Sequence, residues 1–214
     1  MASRTRSTGL GVGIGLAIVA IASVLGVLIA AGVLAEPNAL DAWWSGIVTE
    51  TRSPVTVGIA LGFNALGRGI VASAVVPVVL VVVLLIARKP WSALALVLTL
   101  LATWAVTRVL KSVVARDRPE DILVESDFGS FPSGHASNAA ALATVFLLVF
   151  RSLTVRVGAV VYIVAMMWSR TLLGAHWATD VIGGTLVGAG VAIIVVTLVA
   201  PLLRREPVGR RAHG

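Results

Sequence analysis

Long uncharged stretches alternate with short basic runs along this chain of 214 residues. The first stretch, Leu10–Ala35, carries no charge, and a helix of its length would cross the roughly 30 Å hydrocarbon core of a bilayer. A cleaved signal peptide is the alternative interpretation, but its apolar region would hold only about 7–15 residues. We therefore predict that this stretch is the first of several membrane spans.

The same pattern predicts five further spans. They are Gly69–Ala87, Trp91–Val109, His135–Phe150, Val157–Leu173 and Ala178–Leu203. The mixed segment Glu36–Gly67 contains Trp43 and Trp44, and tryptophan favours the membrane–water interface, so one or two short helices at that surface are expected there. The alternative is a single long, tilted span over Val55–Ile86, which would place Arg68 inside the membrane at a high energetic cost.

The charges along the chain predict how these spans are oriented. Six spans put both termini on one side, and ten of the 17 Lys and Arg residues then fall on that side, whereas nine of the ten acidic residues fall on the other. Because basic residues are enriched in cytoplasmic loops, we expect both termini in the cytoplasm. The prediction is one membrane-embedded domain over residues 1–214 of the plasma membrane, all-α, with basic cytoplasmic tails at 1–9 and 204–214.

Composition agrees with a membrane protein and excludes other classes. The chain is 58% hydrophobic and 13% charged, with a mean hydropathy of +1.00, whereas a soluble domain is about 25% charged. The net charge of +7 sits in short runs between apolar stretches, which is typical of membrane topology and not of nucleic-acid binding. With no cysteine, the chain has neither disulfides nor thiolate metal sites.

A histidine and an aspartate stand near the start of the last predicted span. His176 and Asp180 are four residues apart, so both side chains would lie on one helix face. The carboxylate would then fix the tautomer of the imidazole and leave its other nitrogen free to act as a nucleophile. The alternative is a helix-surface pair without a catalytic role.

A second histidine opens the fourth predicted span. Pro132, Ser133 and Gly134 precede the helical run that contains His135, and a proline and a serine there are typical of a helix start. The free N–H groups of such a start bind anions, and His135 would stand beside them as a general acid. An ordinary helix cap with an exposed histidine is the alternative.

Three cations are predicted at the same membrane face as the two histidines and Asp180. Pro119 disfavours helix at Arg118, so the chain should turn there and Arg118 should point back toward Lys111. Together with Arg170, these side chains could cradle a phosphate, the arginines through bidentate bonds and the lysine as a point charge. A solvated basic loop is the alternative for Lys111 and Arg118.

Two kinds of chemistry fit these residues. His135, His176 and Asp180 are acceptable metal ligands, but three nearby cations would repel a divalent ion and attract an anion. We therefore predict no metal and no cofactor. The prediction is phosphoryl transfer through a covalent phosphohistidine, with the cations stabilising the charge on the phosphate oxygens.

The sequence resembles the type 2 phosphatidic acid phosphatases. Their signature has three parts, K-x6-R-P, P-S-G-H and S-R-x5-H-x3-D, and this chain matches all three in order and spacing. The matching segments are Lys111–Pro119, Pro132–His135 and Ser169–Asp180. The resemblance implies an all-helical membrane protein with a metal-independent site, in which His176 is the nucleophile, His135 the acid and Asp180 the partner of His176. The phosphate-binding residues that it implies are Lys111, Arg118, Ser133, Gly134 and Arg170.

The expected activity is hydrolysis of a lipid phosphate or diphosphate at the outer membrane face. Members of the family act on phosphatidic acid, phosphatidylglycerol phosphate and polyprenyl diphosphates. Undecaprenyl diphosphate is slightly favoured, because Arg108 and Arg116 could neutralise a second phosphate, although both are also interpreted as surface or interface charges. The alternatives are a phosphoryl or headgroup transferase and a catalytically silent lipid-binding protein.

Overall fold

The computed structural model describes residues 2–34 and 37–207, with side chains from residue 8 onward. Helices connected by turns and loops make up the described residues, which contain no strand, so the all-α prediction is confirmed. The α-helices are α1 (Ala2–Ala30), α2 (Ala39–Glu50), α3 (Pro54–Leu66), α4 (Val76–Ile86), α5 (Pro90–Val114), α6 (Gly134–Val149), α7 (Leu153–Leu172) and α8 (Ala178–Leu203). A π-helical turn, Val71–Val75, precedes α4.

Four helices are long and apolar enough to cross a membrane: α1, over Thr8–Ala30, and α5, α7 and α8. The segments Pro54–Leu66 and Val71–Ile86 pass the same test together, but a bend of 54° separates them. The shorter α6 is also apolar. The chain is therefore a multi-pass membrane protein, and the count of six spans stays a prediction.

The break between α3 and α4 bears on both interpretations of the second span. Gly69, with a φ of +53°, lies in the break, where it adopts a backbone conformation that side-chain-bearing residues rarely take. Val55–Ile86 is therefore not one continuous helix, and the alternative of a single long span is left only in the form of a span broken at this bend. Val71–Ile86 corresponds to the predicted span Gly69–Ala87, and α2 and α3 are the two short helices expected before it.

Helix α8 packs closely against α1 and α6 because glycines face its neighbours. A Cβ atom on Gly188 would lie 2.1 Å from the carbonyl oxygen of Ser137, and one on Gly184 would lie 2.5 Å from that of Ser133. On the side of α1, a Cβ atom on Gly15 would lie 2.7 Å from the carbonyl oxygen of Gly190. Small residues at helix contacts are the usual route to tight packing in a bilayer, where no hydrophobic effect drives helices together.

Helix α2 and the segment that follows it are fastened onto the end of α7. The indole Nε1 of Trp44 donates to Thr171 Oγ1 at 2.9 Å. After α2, Arg52 Nε donates to the Leu172 carbonyl at 2.8 Å, and its Nη1 lies 2.6 Å from Asp121. The turn between α7 and α8 is therefore held from one side by the N-terminal third of the chain.

A different polar contact holds the opposite end of the bundle. Glu206, which follows α8, accepts hydrogen bonds from the backbone N–H of Ser92 at 2.6 Å and from its hydroxyl at 2.5 Å, and it lies 3.8 Å from Lys89. This contact fastens the end of α8 to the start of α5. Of the predicted basic tails, residue 1, residues 208–214 and the side chains of residues 2–7 lie outside the described part of the structure.

Candidate active site

A cleft of about 940 Å³ opens between the break before α4, helix α5 and the start of α6. Six of the eight predicted site residues line it: Lys111, Arg118, Gly134, His135, Arg170 and His176. The other two, Ser133 and Asp180, are fully buried beside it. Residues from three separate sequence segments are thus brought to one place.

His176 lies in the turn between α7 and α8, with 4% of its surface exposed. Its Nε2 is 3.4 Å from Arg118 Nη1, and its Nδ1 is 3.6 Å from Asp180 Oδ2, with the backbone of Ser130 also close to the ring. Burial holds the pKa of His176 well below its ordinary value, and Arg170 and Arg118 lower it further. The imidazole is therefore neutral, so one ring nitrogen keeps a lone pair.

The expected arrangement of His176 and Asp180 on one helix face is wrong. Helix α8 begins at Ala178, so His176 precedes the helix, and Asp180 occupies its first turn. The reason is a capping interaction, because Asp180 Oδ2 accepts the backbone N–H of Trp177 at 2.9 Å and so ends the turn there. The two side chains still meet, through the path of the turn.

Lys111 and Arg118 converge on the same loop, as predicted. Helix α5 ends at Val114, its C-cap residue Ala115 has a φ of +48°, and the following segment carries Arg118 back toward Lys111. Lys111 Nζ and Arg118 Nη2 both donate to the Gly129 carbonyl at 2.7 Å. They also share Asp127, whose Oδ1 lies 3.5 Å from the lysine and 2.8 Å from the arginine.

Arg170 and His135 face the cleft from opposite helices. Arg170, in the last turn of α7, is 2% exposed and donates through Nη1 to Asn64 of α3. His135, in the first turn of α6, lies against Gly67, where a Cβ atom would be only 2.1 Å from His135 Cδ2. The end of α3 therefore helps to place both side chains.

Ser133 and Gly134 form the start of α6. The Ser133 hydroxyl caps the helix by accepting the Ala136 N–H at 3.4 Å, and the Ser133 N–H donates to the Asp180 carbonyl at 3.0 Å. These bonds join the starts of α6 and α8. Gly134 is the one of the pair that lines the cleft.

The interpretation of Arg116 as a surface or interface charge is wrong. Its side chain is completely buried, and it bridges Asp180 Oδ1 at 2.8 Å and Asp41 Oδ2 at 2.7 Å. Burial alone would lower the pKa of Arg116, but Asp180 and Asp41 raise it above its ordinary value, so the guanidinium stays charged. Asp41 was not recognised from the sequence, because no spacing pattern connects it to a residue 75 positions away.

The sequence profile described as the PAP2 superfamily matches residues 92–204, more than half of the chain. The chain belongs to the PAP2 superfamily. This finding confirms the resemblance inferred from the three signature segments, which all lie within the matched region. Helices α1–α4, and with them Asp41, lie outside that region.

Two relatives and one solved structure show how far the similarity extends. Phosphatidylglycerophosphatase B of Bacillus subtilis is 37% identical over 112 residues, which are 47% of this chain and 55% of that protein. Decaprenylphosphoryl-5-phosphoribose phosphatase of Mycobacterium tuberculosis is 38% identical over 96 residues, 42% of this chain and 52% of that protein. The chain thus spans about half the length of these two relatives.

The similarity of the fold covers more of the chain. The crystal structure of a transmembrane PAP2-type phosphatidylglycerolphosphate phosphatase from Bacillus subtilis superposes with a TM-score of 0.72 at 26% identity. The superposition includes 92% of this chain and 99% of that one. Helices outside the PAP2-matched region therefore have counterparts in a solved PAP2 membrane protein.

Proposed function

We propose that this protein hydrolyses the phosphate monoester or diphosphate of a membrane lipid through a phosphohistidine on His176. The observation that carries the proposal is the continuity of one cleft. Its polar end holds the cations and both histidines, and its other wall is apolar, formed by Pro77 of α4 and by Leu101 and Trp104 of α5. A phosphate and a lipid tail can therefore occupy the same space at once.

The first chemical step follows from the orientation of His176. Because Nδ1 faces Asp180, Nε2 is the nitrogen available to attack phosphorus. A bond forms between Nε2 and phosphorus while the phosphorus–oxygen bond to the lipid breaks, and His135 gives its proton to the departing oxygen. Lys111, Arg118 and Arg170 stabilise the charge on the three remaining oxygens.

In the second step, water attacks the phosphohistidine. His135, now deprotonated, accepts a proton from this water, inorganic phosphate departs, and His176 is restored as a neutral base. The positive charge needed at phosphorus is supplied by side chains of the chain itself. A transferase would use the same intermediate, with another alcohol in place of water.

The structure changes the argument for a second phosphate. Arg116 does not line the cleft, so the expectation that it neutralises a second phosphate is wrong. Arg108 does line the cleft, and it lies three residues, or about 4.5 Å along the helix axis, deeper than Lys111. A second anionic group between the reacting phosphate and the tail would meet Arg108. Both undecaprenyl diphosphate and phosphatidylglycerol phosphate carry such a group, and phosphatidic acid does not.

The orientation in the membrane completes the proposal. Six spans with cytoplasmic termini would place the cleft at the outer face, where the lipid headgroup lies. Because the chain has no cysteine, single engineered cysteines report on this directly. A cysteine at Glu120 should react with an impermeant reagent from outside and one at Arg205 should not. The opposite pattern would move the site to the cytoplasmic face.

The activity is tested by phosphate release from purified protein in one detergent. The substrates are undecaprenyl diphosphate, phosphatidylglycerol phosphate, phosphatidic acid and a short soluble phosphate ester. We expect release from the lipids and preference for the two that carry a second phosphate. Equal turnover of the soluble ester would contradict a lipid substrate, and loss of the lipid phosphate without free phosphate would favour the transferase.

A further inference from the structure

A buried ionic cluster lies directly behind His176, on the side away from the cleft. Its members in the described part of the chain are Asp41 from α2, Arg116 from the loop after α5, and Thr179 and Asp180 from α8. The side chains of Asp41, Arg116 and Asp180 have no exposed surface. Arg116 Nη1 also donates to Thr179 Oγ1 at 2.7 Å. None of these four residues lines the cleft.

The cluster fixes the carboxylate that faces His176. Asp180 is held at both oxygens, since Oδ1 accepts from Arg116 and Oδ2 accepts from the Trp177 N–H. Arg116 is held in turn by Asp41, which also accepts the Thr179 N–H at 2.8 Å. Asp41 therefore controls where the guanidinium lies, and the guanidinium controls where Asp180 lies.

The charges of the cluster do not cancel. Among the described residues, the two carboxylates and one guanidinium of the cluster leave a net negative charge behind a neutral His176. When Nε2 bonds to phosphorus, the ring becomes positively charged, in surroundings that already contain Arg118 and Arg170. A negative charge held behind the ring compensates for this, and it acts strongly because the site is buried. Neutralising Asp41 would remove one negative charge from the cluster and weaken this compensation.

We propose that Asp41 and Arg116 are positioning residues for catalysis: together they orient Asp180, and Asp41 adds the negative charge by which the cluster stabilises the phosphohistidine. The inference rests on the proposed phosphohistidine mechanism. It makes α2 a functional part of the active site, although α2 lies outside the region that the PAP2 profile matches.

A purely structural role must be separated from this one, because the cluster also fastens α2 to α8. The chain offers a matched control in the ion pair between Arg52 and Asp121, at 2.6 Å. That pair fastens the segment after α2 to the same α7–α8 turn, since Arg52 also binds the Leu172 carbonyl. It has no contact with Asp180 or His176.

The experiment compares Asp41→Asn, Arg116→Lys and the control Asp121→Asn in purified, folded protein. We expect the first two to lower kcat about ten- to hundredfold, as misplacement of a catalytic group does, with KM little changed, because no cleft residue is altered. Rapid-quench measurements with labelled substrate should show a slower rate of phosphoenzyme formation. Asp121→Asn should keep the kcat of the wild type.

The outcomes are decisive in each direction. The proposal is overturned if Asp41→Asn keeps its kcat per folded molecule, or if Asp121→Asn loses as much. If Asp41→Asn does not accumulate as folded protein, the kcat of Arg116→Lys tests the proposal instead. This variant keeps the buried positive charge but cannot bridge both carboxylates in the same way. Full activity in His176→Ala would instead refute the phosphohistidine mechanism, whereas an inactive His176→Ala beside a fully active Asp41→Asn would refute the positioning role alone.

Discussion

Cations on the two sides of His176 are held in opposite ways. In front, Lys111 and Arg118 bind the Gly129 carbonyl and share Asp127, whose side chain is 63% exposed. Behind, Arg116 lies between two completely buried carboxylates. The front cations are not fully neutralised, so their charge is available to a phosphate. The rear cation is already neutralised by buried carboxylates, and its role is to hold the neighbouring groups in a fixed geometry.

The difference follows from what each side must do. A backbone carbonyl orients a cation without neutralising it, and an exposed carboxylate can be replaced by an incoming phosphate at little cost. A buried pair cannot be taken apart cheaply, because each unpaired charge would be left in a low-dielectric environment. Replacing a front cation should therefore change phosphate binding and the catalytic rate, whereas replacing the rear cation should change the stability of the fold as well as the catalytic rate.

The largest effect on stability is expected at the rear. Replacing Arg116 by Met leaves Asp41 and Asp180 buried without their cation, which should destabilise the fold by about 3–5 kcal/mol. Thermal unfolding in detergent measures this. A variant as stable as the wild type would show that the rear cluster is not structurally important and would remove the contrast between the two sides.

At the front, the largest effect is expected on rate. Arg118→Ala removes donors from the phosphate site and should lower kcat/KM about 10²–10³-fold, as the loss of one transition-state donor does. Its unfolding temperature should change much less than that of Arg116→Met. If Arg118→Ala instead unfolds as readily as the rear variant, the two cations have similar roles.

A smaller effect, of opposite sign, is expected for Asp127. In the structure this carboxylate binds the same two cations that a phosphate would use, so Asp127→Asn should bind vanadate about two- to fivefold more tightly, as expected for the loss of an exposed ion pair. Glu120→Gln, in the same loop but not lining the cleft, is the matched control. Weaker vanadate binding by Asp127→Asn would mean that Asp127 organises the cations and does not compete for them.

No effect is expected from removing metals. Since arginine and lysine supply the positive charge on the front side, activity should persist in excess chelator. The measurement is phosphate release before and after chelator, followed by added divalent cation. Loss of activity that a divalent cation restores would contradict this account of the front side.

The sequence was sufficient for the front of the site but not for the rear. Lys111, Arg118, His135, Arg170 and His176 lie in short motifs at helix ends, and helix ends at one membrane face are brought together by the fold. The rear depends on a contact between Asp41 and Arg116, which are far apart in the chain and belong to segments without a recognisable pattern. Such contacts are set by tertiary packing, which hydrophobic periodicity does not report.

Similar reasoning explains which parts of the fold were predicted. The apolar stretches that became α1, α5 and α8 were long enough to identify by composition alone. The boundary between α3 and the following span was predicted near Gly69, but the 54° bend was not, because it depends on the local backbone conformation of that glycine. The last span was predicted to begin at Ala178, where α8 does begin, but the expectation that His176 shares a helix face with Asp180 was wrong, because the cap formed by Asp180 leaves His176 before the helix.

The central claim is that His176 carries the phosphoryl group. The most direct test is to react the protein with a lipid substrate labelled at the departing phosphate, quench within one turnover, and locate the label. We expect a phosphoramidate on His176 that is labile in acid and stable in base, absent from His176→Ala and still formed by His135→Ala with a substrate that has a good leaving group. Label on another residue, or wild-type turnover by His176→Ala, would contradict the account.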